Sequence, residues 1–109
     1  MQNSPITATV NFEADGIQHG FLKLPHSHDG SAWGSIMIPV TVAKNGTGPT
    51  VLFTGGNHGD EYEGPIALFD LAATIRAEDI SGRVIIVPGM NYPAFQAGTR
   101  TSPIDKGNL

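Results

Sequence analysis

Thr50-Val51-Leu52-Phe53-Thr54-Gly55-Gly56-Asn57-His58-Gly59-Asp60-Glu61-Tyr62-Glu63-Gly64-Pro65 is the most informative run of this 109-residue chain. Its first five residues are short and nearly all apolar, which reads as a strand. Glycines follow, and Pro65 lacks the amide hydrogen that a first helical turn leaves spare. Helical spacing then runs over residues 65–78, where Leu68, Leu71, Ala72 and Ile75 form one stripe extended by Ile66 and Phe69. Gly82 sits where the chain leaves the helix, and residues 84–87 are a second apolar run. Continuous apolar strands indicate burial on both sheet faces, as in parallel α/β folds. Residues 50–88 therefore read as a βαβ unit with a right-handed crossover.

Upstream, residues 18–24 and 35–42 read as antiparallel strands joined by His26-Ser27-His28-Asp29-Gly30-Ser31. In the second, Ile36, Ile38, Val40 and Val42 alternate with other residues, which predicts one well-buried face. Pro39 predicts an edge strand or a bulge. Lys44-Asn45-Gly46-Thr47-Gly48-Pro49 is a turn. Residues 1–16 are polar and irregular, with room for a short edge strand around residues 7–12. The fold class is α/β: N-terminal antiparallel strands leading into a mixed sheet with a βαβ unit.

Composition narrows the function. Net charge is −4 with no basic cluster, so nucleic acid and anionic membrane are poor partners. The chain has no cysteine, which removes disulfides and thiolate metal sites. No secretory signal pattern opens it, and no apolar stretch approaches the ~18 residues of a membrane span. A soluble cytoplasmic protein is the default expectation.

Ligands in open α/β sheets gather outside the carboxyl ends of the strands. His58 and Glu61 follow the end of one strand there; Asn91, Tyr92 and Arg100 follow the end of the other. Imidazole and carboxylate are both zinc ligands, and residues three apart on a helical turn have Cβ atoms ~5–6 Å apart. A bare His-x-x-Glu is nevertheless a weak signal, because Asp60, Glu61 and Glu63 also suit a helix N-terminus as favourable charges. Asp60, two residues from His58, reads as an orienting or capping group, and Glu63 as a solvated or capping carboxylate. Arg100 reads either as an oxyanion-stabilising cation or as a surface arginine. His26 and His28 read as a solvent-exposed turn, and His19 as a strand residue.

The run ending in Gly55-Gly56-Asn57-His58-Gly59-Asp60-Glu61-Tyr62-Glu63-Gly64 resembles the succinylglutamate desuccinylase/aspartoacylase family of zinc carboxypeptidase-like hydrolases. So do Val87-Pro88-Gly89-Met90-Asn91-Tyr92-Pro93-Ala94-Phe95 and Gly98-Thr99-Arg100-Thr101-Ser102-Pro103-Ile104-Asp105. The first half, from His19-Gly20-Phe21 to Ile38-Pro39-Val40, is similar to the ectoine-degradation branch, whose members deacetylate Nα-acetyl-L-2,4-diaminobutyrate. The resemblance implies a three-layer fold and a Zn2+ cofactor held in part by His58 and Glu61. It also implies that Arg100 polarises the scissile carbonyl while metal-activated water attacks. The implied partner is a small-molecule N-acyl amino acid, with self-association into a homo-oligomer also carried. In the family, a substrate-holding Asn-Arg pair follows the Asp105 region, and a third zinc ligand and a catalytic glutamate lie further on. Leu109 comes before all of them. Residues 1–109 are therefore expected to be the N-terminal portion of a single zinc-hydrolase catalytic domain. Within it, residues 17–49 are antiparallel strands and turns, and residues 89–109 an active-site loop. The portion alone is expected to be inactive.

Overall fold

The computed structural model describes residues 4–25, 34–102 and 104. Within them β1 (Thr7–Ala8), β2 (Gly16–Pro25), β3 (Ser35–Asn45), β4 (Thr50–Thr54) and β5 (Gly82–Val87) form one sheet in the order β1-β2-β3-β5-β4. Two helices accompany it, α1 (Glu63–Thr74) and α2 (Tyr92–Ala97), with a 3-10 turn at Ala77–Asp79. β2 and β3 pair antiparallel from Gly16↔Lys44 to Pro25↔Ser35. β3 and β5 are also antiparallel, whereas β4 and β5 run parallel from Thr50↔Arg83 to Thr54↔Val87. The sheet is mixed, and β4, α1 and β5 are the strand–helix–strand unit. The loop carrying His26 and His28 lies outside the described residues.

The core sits where β3 meets β5. Val40, Val42, Ala43 and Ile86 are each no more than 2% exposed. Strict alternation on β3 gives way here, because Thr41 and Ala43 are buried along with Val40 and Val42. Both faces are covered at this point. Val10 and Phe12 pack with Val40, Val42 and Val87 on one face. α1 lies over the other, where Phe69 and Ala72 share a hollow with Pro39 and Thr41. β3 is an interior strand, which corrects the edge placement drawn from Pro39. β5 pairs with it only from Thr41 onward. Pro39 thus stands where that side of β3 is open, and its missing N–H breaks no ladder with β5.

β4 corrects a second expectation. It is the outer strand, and all five of its residues are exposed, with Leu52 at 56%. Its apolar composition suits burial on both faces, yet among the described residues it pairs only with β5. The helix is also shorter than residues 65–78. It opens at Glu63 and stops at Thr74, whose Oγ1 donates back to the Asp70 carbonyl at 2.9 Å. Such back-bonding favours a bend, and Ile75 leaves the helix at ψ 140°. Leu68, Leu71 and Ile75 are half-buried and Ala72 is buried, as the stripe requires. Ile66, expected to extend it, is 68% exposed.

Truncating the central side chain, Ile86→Ala, should cost about 2–5 kcal/mol, measured by urea unfolding of the native protein. A second expectation concerns Asp15, whose Oδ1 accepts from Lys44 Nζ at 3.1 Å and from the Gly46 amide at 3.2 Å. The Lys44 hydrogen bond, then that of Gly46, holds this carboxyl below the usual range. A depressed folded-state pKa stabilises above the unfolded-state value, and that contribution is lost as pH falls through the folded value. Asp15→Asn should therefore lower the unfolding midpoint slightly at neutral pH, and the two proteins should converge in strong acid.

Candidate functional site

Two strand exits are tied together by backbone. Beyond β4, the Gly55 amide donates to the Val87 carbonyl at 3.1 Å, continuing the parallel ladder. Beyond β5, the Met90 and Asn91 amides donate to the Gly55 and Gly56 carbonyls at 2.8 and 3.1 Å. Gly56 has φ 65°, in the left-handed region that glycine enters freely. After this crossing the first segment turns through His58, and the second enters α2.

α2 falls within residues 89–109, where the sequence predicts a loop. Its signals are present in hindsight. Asn91 stands at the N-cap, Pro93 lies in the first turn, and Gly98 closes the helix in the left-handed conformation at φ 67°. The helix is only six residues long, too short for a periodic apolar stripe to show. Phe95 stacks on Tyr92 at 5.9 Å and meets Tyr62 edge-on at 6.3 Å, joining α2 to the start of α1. Gly59 lies so close to the Ala94 and Thr99 carbonyls that a Cβ has no room. That approach sets the segment carrying Arg100 beside the segment carrying His58.

His58 and Glu61 lie before α1, on a turn closed by the Glu61 amide donating to the His58 carbonyl at 3.3 Å. This turn keeps the three-residue spacing effective. His58 Nδ1 is 3.3 Å from Glu61 Oε1, and Arg100 Nη1 is 3.1 Å from the same oxygen. Asp60 Oδ1 lies 3.8 Å from Arg100 Nη1. The Arg100 hydrogen bond, then that of His58, holds the Glu61 carboxyl below its ordinary range. Glu61 is therefore ionised at neutral pH, the form a metal ligand needs.

His58, Glu61 and Arg100 are thus brought together from two strand exits. Asp60, expected to orient His58 or cap the helix, reaches toward Arg100, and α1 has no side-chain cap at Tyr62. Spacing alone could not reveal this pairing, because Arg100 is distant in sequence. Glu63 occupies the first turn of α1, where its charge suits the helix dipole. His19 is structural, its Nδ1 lying 2.8 Å from Thr41 Oγ1 across β2 and β3.

The donor pair fits a zinc ion. Two ligands of one tetrahedral zinc, each at ~2.0–2.2 Å, lie ~3.3–3.5 Å apart. The 3.3 Å between His58 Nδ1 and Glu61 Oε1 is such a spacing. Among the described residues no third His, Cys, Asp or Glu joins them. Two donors fall short of a catalytic zinc site, which has three protein ligands and a water.

Comparison with known proteins places this geometry in a lineage. The N-alpha-acetyl-L-2,4-diaminobutyric acid deacetylase of Halomonas elongata is 72% identical over 106 residues, covering 97% of this chain and 31% of that protein. The product-bound structure of the ectoine utilization protein EutE (DoeB) from Ruegeria pomeroyi superposes with TM-score 0.96 at 68% identity, covering 99% of this chain and 33% of that one. A succinylglutamate desuccinylase structure from Silicibacter sp. TM1040 gives the same TM-score at 66% identity, with the same coverage of each chain. The chain spans about a third of the length of these relatives. Residues 47–109 match the succinylglutamate desuccinylase/aspartoacylase catalytic domain, and the chain belongs to that family.

Proposed function

We propose that this chain is the N-terminal portion of a zinc-dependent deacylase that removes the acetyl group from Nα-acetyl-L-2,4-diaminobutyrate. The observation that carries the reading is the convergence of His58, Glu61 and Arg100 on one rim of the sheet. Relatives named for that deacetylation and for ectoine utilization, at 72% and 68% identity, supply the substrate class. The cytoplasm is the compartment this reading assigns.

In this reading His58 and Glu61 are two of the protein ligands of zinc. The metal, when bound, acts as a Lewis acid and lowers the pKa of a water ligand to ~7. Glu61, already ionised, supplies an anionic oxygen, and His58 a neutral nitrogen. Arg100 donates hydrogen bonds to the acyl oxygen as it gains charge, a contribution of about 3–4 kcal/mol for a well-placed donor. Its charge is permanent at any working pH. The third metal ligand and the glutamate that carries the proton to the leaving amine are expected from polypeptide beyond Leu109.

His58→Ala in the native protein should lose zinc and activity together, read by elemental analysis and amide hydrolysis. Arg100→Ala should retain zinc while kcat falls by ~10²–10³-fold. Near-normal kcat in that variant would remove the oxyanion role. The native enzyme should also hydrolyse Nα-acetyl-L-2,4-diaminobutyrate and leave N-succinylglutamate untouched; the reverse preference would reassign the substrate.

A further inference from the structure

Asn45 is the one asparagine of the chain that precedes glycine, in Lys44-Asn45-Gly46-Thr47 at the end of β3. The junction lies at the end of the sheet away from His58, where Asn45 pairs with Gly82. An asparagine can react with its own backbone, the following amide nitrogen attacking its Cγ, and a glycine there leaves that nitrogen unshielded. Asn45 and Gly46 are both exposed. A Cβ on Gly46 would meet nothing within 4 Å among the described residues, so water reaches the junction freely. Yet each reacting group is held. Asn45 Nδ2 donates to the Ile80 carbonyl at 3.1 Å, which turns the side-chain amide toward the entry to β5. The Gly46 amide, the nucleophile of such a reaction, donates to Asp15 Oδ1 at 3.2 Å. Lys44 Nζ donates to the same Asp15 oxygen at 3.1 Å and to the Gly46 carbonyl at 3.0 Å, so Gly46 is gripped on both sides. The extended backbone of a strand also turns the next nitrogen away from Cβ, whereas ring closure needs the two nearly eclipsed.

We propose that Asn45-Gly46 is a self-modification site, a latent succinimide, and that Asp15 keeps it closed. In the reaction the Gly46 nitrogen bonds to Asn45 Cγ, the Cγ–Nδ2 bond breaks, and ammonia leaves with the proton of the Gly46 amide. Water then cleaves one of the two imide C–N bonds. The product is aspartate or, with the main chain rerouted through Cβ, isoaspartate. Either product acts on the core strand. Aspartate places a carboxylate oxygen where Nδ2 donated, facing the Ile80 carbonyl with no hydrogen between them. Isoaspartate adds a backbone carbon at the last rung that β3 shares with β5. Asp15 stands just before β2, so release of the N-terminal segment frees the Gly46 amide, and the modification then records that release irreversibly. The exposed Lys44–Asp15 pair contributes little to stability, and its role is kinetic.

The test is incubation of the native protein at physiological temperature and mildly alkaline pH. Conversion at each asparagine is read by peptide-mapping mass spectrometry, and isoaspartate by enzymatic methylation. The variants are Asp15→Ala and Lys44→Met, with Asn45→Gln as the slow control. Folded Asp15→Ala should modify Asn45 roughly two- to tenfold faster than wild type, the factor by which one lost hydrogen bond opens the turn. Lys44→Met removes the grip on both Asp15 and the Gly46 carbonyl. It should move the same way, and it carries the test if Asp15→Ala does not fold. In denaturant, wild type and Asp15→Ala should react at one common rate, faster than folded wild type, because Asp15 is remote from Asn45 in sequence. Equal rates in the folded proteins would overturn the role of Asp15. A parallel rise at Asn11, Asn57 and Asn91 would mean general loosening and would overturn it too. Absence of product at Asn45 in the denatured chain would overturn the site itself. None of these outcomes bears on the deacylase reading.

Discussion

The backbone crossing of the two strand exits governs everything on the rim that carries His58, Glu61 and Arg100. Gly55 donates to Val87, and Met90 and Asn91 donate to Gly55 and Gly56, so the β4 exit and the β5 exit are joined by backbone hydrogen bonds. The crossing is tight at the glycines. A Cβ on Gly55 would stand 3.0 Å from both the Gly64 carbonyl carbon and the Pro88 oxygen. Gly59 then lets the ligand turn settle onto the end of α2. Without that contact the two loops would still leave neighbouring strands, but the separation of Glu61 and Arg100 would be free to vary.

Electrostatics completes what the backbone begins. Arg100 faces Asp60 and Glu61 across the rim, on a chain with a net negative charge. Contacts this exposed contribute little to folding. Their value lies in geometry, because they hold a permanent cation beside His58 and Glu61.

Much of this was legible in the sequence because local rules and tertiary needs agree there. The β4–α1–β5 unit follows from apolar runs, a helical stripe and glycines at the junctions, and the meeting of His58, Glu61 and Arg100 follows from where those strands end. The misreadings share a cause. An apolar strand reads as buried, but whether β4 is central or outermost depends on which strands lie beside it, and Val51, Leu52 and Phe53 carry no mark of that. Pro39 likewise reads as an edge residue, although it stands on an interior strand whose neighbour begins two residues later. α2 is too short for periodicity, and only its caps announce it. The pairing of Asp60 with Arg100 joins residues on different strand exits, a relation that no local pattern encodes.

The bare outer side of β4 also governs how this chain behaves in a test tube. Among the described residues, this strand with Val51, Leu52 and Phe53 in water leaves the peptide groups of its outer side unpaired along an apolar edge, with no charged residue or proline between Thr50 and Thr54 to blunt it. Such an edge is a template for sheet growth. Association of residues 1–109 in isolation is thus expected to begin at this five-residue border and to grow with concentration.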